Sequence, residues 1–226
     1  MVVPASDLFA LPPGADPQQL SMLAINPPTA ALLLSEYVNL KPGEWVVQNS
    51  ANSAVGRWVI AFAKTRGLKT VNIVRRPELV AELKAIGGDV VVVDSPDVSK
   101  EIKAAVGQAD LRLALDGVSG AASGVLASTL SPNGTLVSYA AMSAGPMSIS
   151  PLDVIFKPLT VRGFWLGHSE SVAKSAPAIA QAAEMIASGR VRIPVTATYA
   201  LSSIREAVEH AQRGGKILLD VAGSSK

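Results

Sequence analysis

Cysteine is absent from this chain of 226 residues. The chain therefore has no disulfide framework, no thiolate ligand for a metal ion and no thiol nucleophile. Histidine is scarce as well, because only His168 and His210 occur, and two histidines form a zinc site only with help from carboxylates. We accordingly predict no metal site and expect both histidines to lie in a loop or on a helix surface.

Charge is also sparse, since charged residues make up 17% of the chain and the formal net charge is +2. The basic residues are scattered, which argues against a nucleic-acid partner or an anionic membrane surface. Apolar runs are short, so no segment predicts a membrane-spanning helix, and the first residues lack the pattern of a signal peptide. These features predict a cytoplasmic protein without a membrane or nucleic-acid partner.

Hydrophobic residues make up 49% of the chain, enough to bury a substantial core. The hydrophobic pattern alternates between strand and helix, as in an α/β domain. The predicted strands are 45–47, 70–74, 90–93, 111–115, 135–139 and 159–166, and the predicted helices are 55–64, 77–86, 95–106, 121–130 and 171–187. Six strands with crossover helices predict a doubly wound parallel sheet, the Rossmann fold, with its ligand crevice at the carboxyl ends of the strands.

The segment at 44–76 is the most informative, because it predicts strand, compact turn, helix and strand in that order. The turn at 49–56 opens a helix whose free N–H groups and positive dipole end attract anions. The second strand ends at Arg75 and Arg76, whose charge and planar donors suit the 2′-phosphate of NADPH, whereas an acidic residue would suit NADH. The alternative is an ordinary βαβ turn that binds another ligand or none, because only Gly56 stands where the usual fingerprint has three glycines.

The two ends of the chain do not fit this pattern. The predicted elements there are a short strand within 1–13, strands at 192–200 and 216–221, and a helix at 203–212. Strands of this length are not stable without a partner sheet. We therefore expect residues 1–25 and 194–226 to form the remnant of a second, mostly β domain, beside the Rossmann domain at 26–193.

Five segments in the same order along the chain carry a family resemblance. They are INPPTAALLL at 25–34, LKPGEWVVQNSANSAVG at 40–56, VNIVRRPE at 71–78, SYAAM at 138–142 and RGFWL at 162–166. Together they resemble the mitochondrial-type trans-2-enoyl thioester reductases, a zinc-free branch of the medium-chain dehydrogenase/reductase superfamily. The resemblance implies an oxidoreductase with NADPH as cofactor, a 2-enoyl thioester as small-molecule substrate and assembly as a homodimer.

The resemblance also implies that the chain lacks the GroES-like catalytic domain with which such enzymes begin. The proton donor of the family is a tyrosine of that domain. None of Tyr37, Tyr139 and Tyr199 occupies a matching position. We therefore assign no catalytic residue to this chain.

The resemblance assigns cofactor contacts residue by residue. They are Asn26 at the nicotinamide end; Asn52, Ser53, Ala54, Val55 and Gly56 in the phosphate turn; Arg75 at the 2′-phosphate with Arg76 beside it; Tyr139, Ala140, Ala141 and Met142 at the nicotinamide ribose; Phe164, Trp165 and Leu166 at the carboxamide; and Lys216 from the C-terminal part. Ala54 stands where the family usually has glycine, so we expect its methyl group to narrow the approach of the pyrophosphate.

Each assignment has a simpler alternative. Asn26 would cap the helix that Pro27 and Pro28 begin, Phe164 and Trp165 would be core or dimer-interface aromatics, and Lys216 would be solvated. Asp116, which ends a predicted strand before a glycine, is expected to cap a turn rather than to catalyse. For the whole chain, the alternatives are a zinc-free quinone or enone reductase, and a nucleotide-binding module that holds NADPH without turnover.

Overall fold

The computed structural model describes Leu8 and residues 10–221. Most of the predicted N-terminal strand, at residues 1–7 and 9, and the end of the predicted second domain, at 222–226, lie outside the described residues. The chain divides into two compact units, of which one comprises residues 23–182 and the other the terminal segments up to Met22 and from Ala183.

Six parallel strands form the sheet of the larger unit. They are β1 Trp45–Gln48, β2 Lys69–Val74, β3 Val90–Val93, β4 Leu111–Asp116, β5 Thr135–Ser138 and β6 Thr160–Gly163. Their order across the sheet is β3-β2-β1-β4-β5-β6, and every neighbouring pair is parallel. This is the doubly wound order, so the predicted fold class is confirmed. Its switch point lies between β1 and β4, where ligands bind in such sheets.

Ten α-helices flank or connect the strands in the described part of the chain. They are α1 Pro17–Leu20, α2 Asn26–Ser35, α3 Ala54–Thr65, α4 Leu79–Ala85, α5 Val98–Val106, α6 Ala121–Thr129, α7 Pro151–Phe156, α8 Ser169–Ala173, α9 Ala176–Ala187 and α10 Ile204–Arg213. None of the helices in the described segments is both long and apolar enough to span a bilayer.

The two central strands, β1 and β4, are deeply buried. Val46, Val47, Leu113 and Leu115 are completely buried because helices cover both faces of the sheet. On α3, Trp58 stacks on Phe62 at 5.2 Å between ring centroids, which fixes the helix that follows the candidate phosphate turn.

The prediction of one long helix at 171–187 is wrong, because the structure has α8 and α9 there. Pro177 has no N–H to donate to the carbonyl of Ala173, and its ring would clash with that carbonyl in a continuous helix. Pro177 instead occupies the first turn of α9, a position in which proline is favourable.

The predicted strand at 159–166 is shorter in the structure, where β6 ends at Gly163. The predicted strand at 192–200 is reduced to β7 at Ala197–Ala200. Ile193 is instead held by the side-chain amide of Gln19, which accepts from the Ile193 N–H at 2.8 Å and donates to its carbonyl at 2.9 Å.

The smaller unit contains β7 and β8, Ile217–Asp220, which pair in parallel. A short 3₁₀ helix and α10 connect the two strands. Both strands come from the C-terminal side, whereas the described N-terminal residues supply α1. The described part of this unit is therefore a mixture of helix and strand rather than mostly β. Its assignment as the remnant of a GroES-like domain stays a prediction.

Candidate functional site

The loops that follow β1 and β4 are joined at the switch point of the sheet. The Asn49 side chain donates through Nδ2 to Oδ1 of Asp116 at 2.7 Å, and its Oδ1 accepts from the N–H of Gly117 at 2.8 Å. Both side chains are buried, with Asp116 0% exposed. The carboxylate of Asp116 also accepts from backbone N–H groups of its own loop, so the structure shows the turn-capping role expected for it.

The turn after β1 leads directly into α3. Ser53 is the N-cap, and its Oγ accepts from the N–H of Gly56 at 3.1 Å. The N–H groups of Ala54 and Val55 make no hydrogen bond within the part of the chain that the structure describes. Free N–H groups at the positive end of a helix, here one of 12 residues, are suited to binding an anion.

The methyl group of Ala54, expected to narrow the approach of the pyrophosphate, contributes little to the surface. Ala54 is 8% exposed. It is the first residue of α3, and most of its surface packs against the rest of the chain. The expected effect of this methyl group on the approach of the pyrophosphate stays a prediction.

Gly56 is where α3 comes closest to the turn. A Cβ atom at this position would lie 2.5 Å from the carbonyl oxygen of Ala51. The carbonyl of Gly56 in turn accepts from Nε2 of Gln48 at 3.0 Å, which ties the first turn of α3 to the end of β1. This one glycine meets a packing requirement of the turn that no larger residue meets.

Arg57 has no role assigned from the sequence, yet it is only 6% exposed. Its Nε donates to the carbonyl of Asn52 at 3.1 Å, and its Nη2 lies 2.5 Å from Oε1 of Glu82 on α4. The sequence around Arg57 carries no signal for these contacts, because one arginine in an apolar helix is usually a surface residue. The structure thus adds a buried cation directly behind the turn.

Arg75 and Arg76 follow β2 and are both exposed. Nε of Arg76 lies 3.4 Å from Oε1 of Glu78, in an ion pair whose side chains are each 64% exposed. Arg75 makes no ion pair and no hydrogen bond with any residue that the structure describes. Arg75 is therefore the cation of this pair that is free to bind a phosphate.

The loop after β5 crosses the loop after β4. The N–H of Tyr139 donates to the carbonyl of Asp116 at 3.0 Å, and the N–H of Met142 donates to that of Gly117 at 3.3 Å. A Cβ on Gly117 would lie 2.7 Å from Oη of Tyr139, so the glycine makes room for the phenol. The residues between, Ala140 and Ala141, are exposed.

Burial raises the pKa of the Tyr139 phenol to about 12. The neighbouring hydroxyl of Ser53 acts in the opposite direction, and the negative charge of Asp116 adds to the increase. Tyr139 therefore keeps its proton at physiological pH and lies close to the N-cap of α3. Met142, 69% exposed, reaches the same turn, because Oγ of Ser50 lies 3.5 Å from its sulfur.

The segment after β6 borders an open cavity of about 550 Å³. The N–H of Phe164 continues the sheet by donating to Ser138 at 2.9 Å, and its ring meets Tyr37 edge-on at 6.5 Å between centroids. Trp165, also at this cavity, is 72% exposed, and Leu166 is half-buried. Neither Phe164 nor Trp165 is a fully buried core residue, which removes one of the simpler alternatives for them.

Asn26 is the first residue of α2, and Ile25 occupies the N-cap. The side chain of Asn26 makes no capping hydrogen bond, so the helix-cap alternative lacks its contact. Lys216 lies in the terminal unit, where its carbonyl accepts from the N–H of Thr196 at 2.8 Å. The remaining predicted contacts belong to the larger unit.

The two histidines belong to different units of the chain. His168 is exposed at the N-cap of α8, and Nδ1 of His210 lies 2.8 Å from Oη of Tyr199. Among the residues that the structure describes, no three His, Asp or Glu side chains are grouped so as to hold a metal ion.

Comparison with known proteins identifies the family of this chain. The family model for the zinc-binding dehydrogenases matches residues 54–181, more than half of the chain. The mitochondrial enoyl-[acyl-carrier-protein] reductase of Dictyostelium discoideum is 40% identical over 184 residues, which is 74% of this chain and 51% of that protein. The chain thus spans about half the length of this curated relative.

Two solved structures share the fold. The mitochondrial 2-enoyl thioester reductase heterodimer from Candida tropicalis gives a TM-score of 0.81 at 28% identity, covering 92% of this chain and 63% of that chain. The complex of Etr1p with NADP and crotonyl-CoA gives a TM-score of 0.79 at 28% identity, covering 89% of this chain and 61% of that chain.

These comparisons contradict the predicted cytoplasmic location, because the relatives are named as mitochondrial proteins. The signal-peptide pattern is no guide to a mitochondrial location, since mitochondrial targeting segments have a different composition from secretory ones. The chain belongs to the zinc-binding dehydrogenase family, and within that family it resembles the mitochondrial enoyl thioester reductases.

Proposed function

We propose that this chain binds NADPH and supplies the cofactor-binding part of an enzyme that reduces the 2,3 double bond of 2-enoyl thioesters. The observation that carries the proposal is the pair of free N–H groups at Ala54 and Val55, followed at the end of β2 by the unpaired Arg75. The relative that acts on enoyl-acyl carrier and the Etr1p complex with NADP and crotonyl-CoA support it. Because these relatives are named as mitochondrial proteins, we also propose a mitochondrial location.

When bound, NADPH supplies the hydride that saturates the substrate. The turn and the free N–H groups of α3 would hold the pyrophosphate, and Arg75 would hold the 2′-phosphate. Tyr139 keeps its proton and can donate a hydrogen bond on the side of the turn. Asn26, the loop from Tyr139 to Met142 and the segment from Phe164 to Leu166 would orient the nicotinamide half. The assignment of Lys216, which belongs to the terminal unit, stays a prediction.

Arg75 should account for most of the preference for NADPH over NADH. We expect Arg75→Ala to weaken NADPH binding by about 10–100-fold, because a charge-assisted contact to phosphate is worth roughly 1.5–3 kcal/mol. Arg76→Ala should weaken it less, since Arg76 already pairs with Glu78. NADH binding should be unchanged in both variants, because NADH has no 2′-phosphate.

Fluorescence titration with both cofactors measures this preference. Lys103→Ala removes an exposed cation on α5 and serves as the matched control for a general loss of positive charge. Equal affinity of the unmutated chain for NADPH and NADH would contradict the assignment of Arg75.

Crotonyl-CoA is the substrate that separates the candidate activities. We expect that the chain binds NADPH and that any NADPH oxidation depends on crotonyl-CoA rather than on a quinone. The assay follows NADPH absorbance with each acceptor in turn. Oxidation by a quinone alone would favour the quinone reductase alternative, and tight binding without turnover would favour the nucleotide-binding module.

The edge of the sheet at β6 is proposed as a homodimer interface. All four residues of β6 are exposed, and α7, which precedes it, exposes Leu152, Ile155 and Phe156 by 64%, 64% and 75%. An uncovered edge strand associates with another strand, and pairing with a second copy across a twofold axis closes the assembly. The heterodimer from Candida tropicalis is consistent with such assembly.

Sedimentation at micromolar concentrations should therefore show a dimer. We expect Val161→Lys, which places a charge on the edge strand, to shift the equilibrium toward monomer by about tenfold or more. Leu219→Lys, at a partly exposed apolar residue of β8, is the matched control. A monomer of the unmutated chain without concentration dependence would rule out the interface.

A further inference from the structure

We propose that Arg57 is a positioning residue, which holds the phosphate turn in the conformation that binds the pyrophosphate of the cofactor. The inference deepens the proposed NADPH binding and rests on it. Arg57 lies in the first turns of α3, and its side chain is only 7% exposed. A helical side chain of this length points back toward the helix N-terminus, which places the guanidinium behind the turn.

Burial of this cation is not explained by its ion pair alone. Glu82, the ion-pair partner on α4, has a side chain that is 41% exposed. An ion pair that is open to solvent on one side is screened and returns little free energy, whereas taking a guanidinium out of water is costly. An uncharged residue at position 57 would pack α3 against α4 without that cost. The second contact of Arg57, to the turn, is therefore the informative one.

That second contact fixes one peptide unit of the turn on both sides. Nε of Arg57 binds the carbonyl oxygen of Asn52 at 3.1 Å. The N–H of Ser53, on the opposite side of the same trans peptide, donates to the carbonyl of Ser50 at 2.9 Å. The peptide plane between Asn52 and Ser53 therefore cannot rotate without breaking at least one of these two hydrogen bonds.

The fixed peptide decides what an anion meets at the start of α3. With the carbonyl of Asn52 held on Arg57, its negative oxygen stays turned toward the guanidinium, and the free N–H groups of Ala54 and Val55 remain for the ligand. If the peptide rotated, a carbonyl oxygen would face the pyrophosphate and repel it. The positive charge of Arg57 behind the turn adds to the attraction.

Three ligands separate this role from a merely structural one. NADPH and NADH share the pyrophosphate, whereas 2′-AMP has the 2′-phosphate and no pyrophosphate. We expect Arg57→Gln to weaken NADPH and NADH binding by about tenfold each and to leave 2′-AMP within about twofold, because only the pyrophosphate contacts are lost. Arg75→Ala should give the converse pattern, with NADPH and 2′-AMP weakened and NADH unchanged.

Glu82→Gln is the matched control, since it removes the charge of the ion-pair partner and leaves the bond from Arg57 to Asn52 in place. We expect all three affinities of this variant to stay within about twofold of the unmutated chain. If Arg57→Gln does not fold, Arg57→Met, which makes neither hydrogen bond, carries the same expectation. Circular dichroism and urea unfolding verify the fold of each variant.

The outcomes are distinct. The proposal is overturned by unchanged NADPH affinity in Arg57→Gln, by an equal loss of 2′-AMP affinity, or by a Glu82→Gln variant that loses as much as Arg57→Gln. Failure of the unmutated chain to bind either dinucleotide would instead overturn the proposed function, and it would be seen before any variant is made.

Discussion

Replacing Asp116 by alanine is expected to lower the free energy of unfolding by about 3–5 kcal/mol, one of the largest effects of any single substitution in this chain. The carboxylate is 0% exposed and accepts four hydrogen bonds. The donors are Nδ2 of Asn49 at 2.7 Å, the N–H groups of Val118 and Ser119 at 2.9 Å each, and Oγ of Ser123 at 2.5 Å. Removing the acceptor leaves these donors without partners. The free-energy penalty for burying an unpaired donor is larger than the net stabilisation that its hydrogen bond contributes.

The same substitution should weaken cofactor binding, because Asn49 begins the phosphate turn and loses its link to β4. Asp116→Asn keeps the size of the side chain but turns an amide NH₂ toward existing donors, so we expect a smaller loss of about 2–3 kcal/mol. Urea unfolding measures the free energy of unfolding of both variants. Asp110→Ala, an exposed aspartate just before β4, is the control and should change the free energy by less than about 0.5 kcal/mol. A similarly small effect for Asp116→Ala would show that water replaces the carboxylate in the loop.

The main sheet is predictable from the sequence because its inner strands are largely buried. Buried strands appear as short continuous apolar runs. The edge strand β3, which is half-buried, also has the bounds that its four valines predict. The short helices α1 and α7 are not among the predicted elements, although each begins at a proline after a capping Asp16 or Ser150. Helices of four and six residues have too little hydrophobic periodicity to be recognised by it.

The candidate site is predictable only where it is local in sequence. The turn and Arg75 follow their strands directly, so the order of strand, turn and helix is enough to find them. The contacts that hold the turn are distant, since Asn49 and Asp116 are 67 residues apart and Arg57 and Glu82 are 25 apart. A single sequence contains no record of which distant polar residues meet. A buried Arg57 therefore looks the same as a solvated one.

Gly56→Ala is expected to abolish measurable NADPH binding and to lower the free energy of unfolding by about 2–3 kcal/mol. The added Cβ would lie 2.5 Å from the carbonyl oxygen of Ala51 and 2.7 Å from its carbonyl carbon, distances that real Cβ atoms essentially never show. The obstacle is backbone, so no rotation of a side chain relieves it. Ala51 is itself completely buried, and its N–H donates to Ile73 of β2 at 3.3 Å.

The first turn of α3 must therefore move away from the turn that precedes it. That movement breaks the bond from the Gly56 N–H to Ser53 and the bond from Gln48 to the Gly56 carbonyl, and it displaces the free N–H groups that would hold the pyrophosphate. Gly145→Ala is the matched control, because the atom nearest to a Cβ there, Oγ of Ser143, lies at an ordinary contact distance of 3.6 Å. Both variants are compared by urea unfolding and by NADPH titration. Binding by Gly56→Ala within about tenfold of the unmutated chain would mean that the spacing between α3 and Ala51 does not control the anion site.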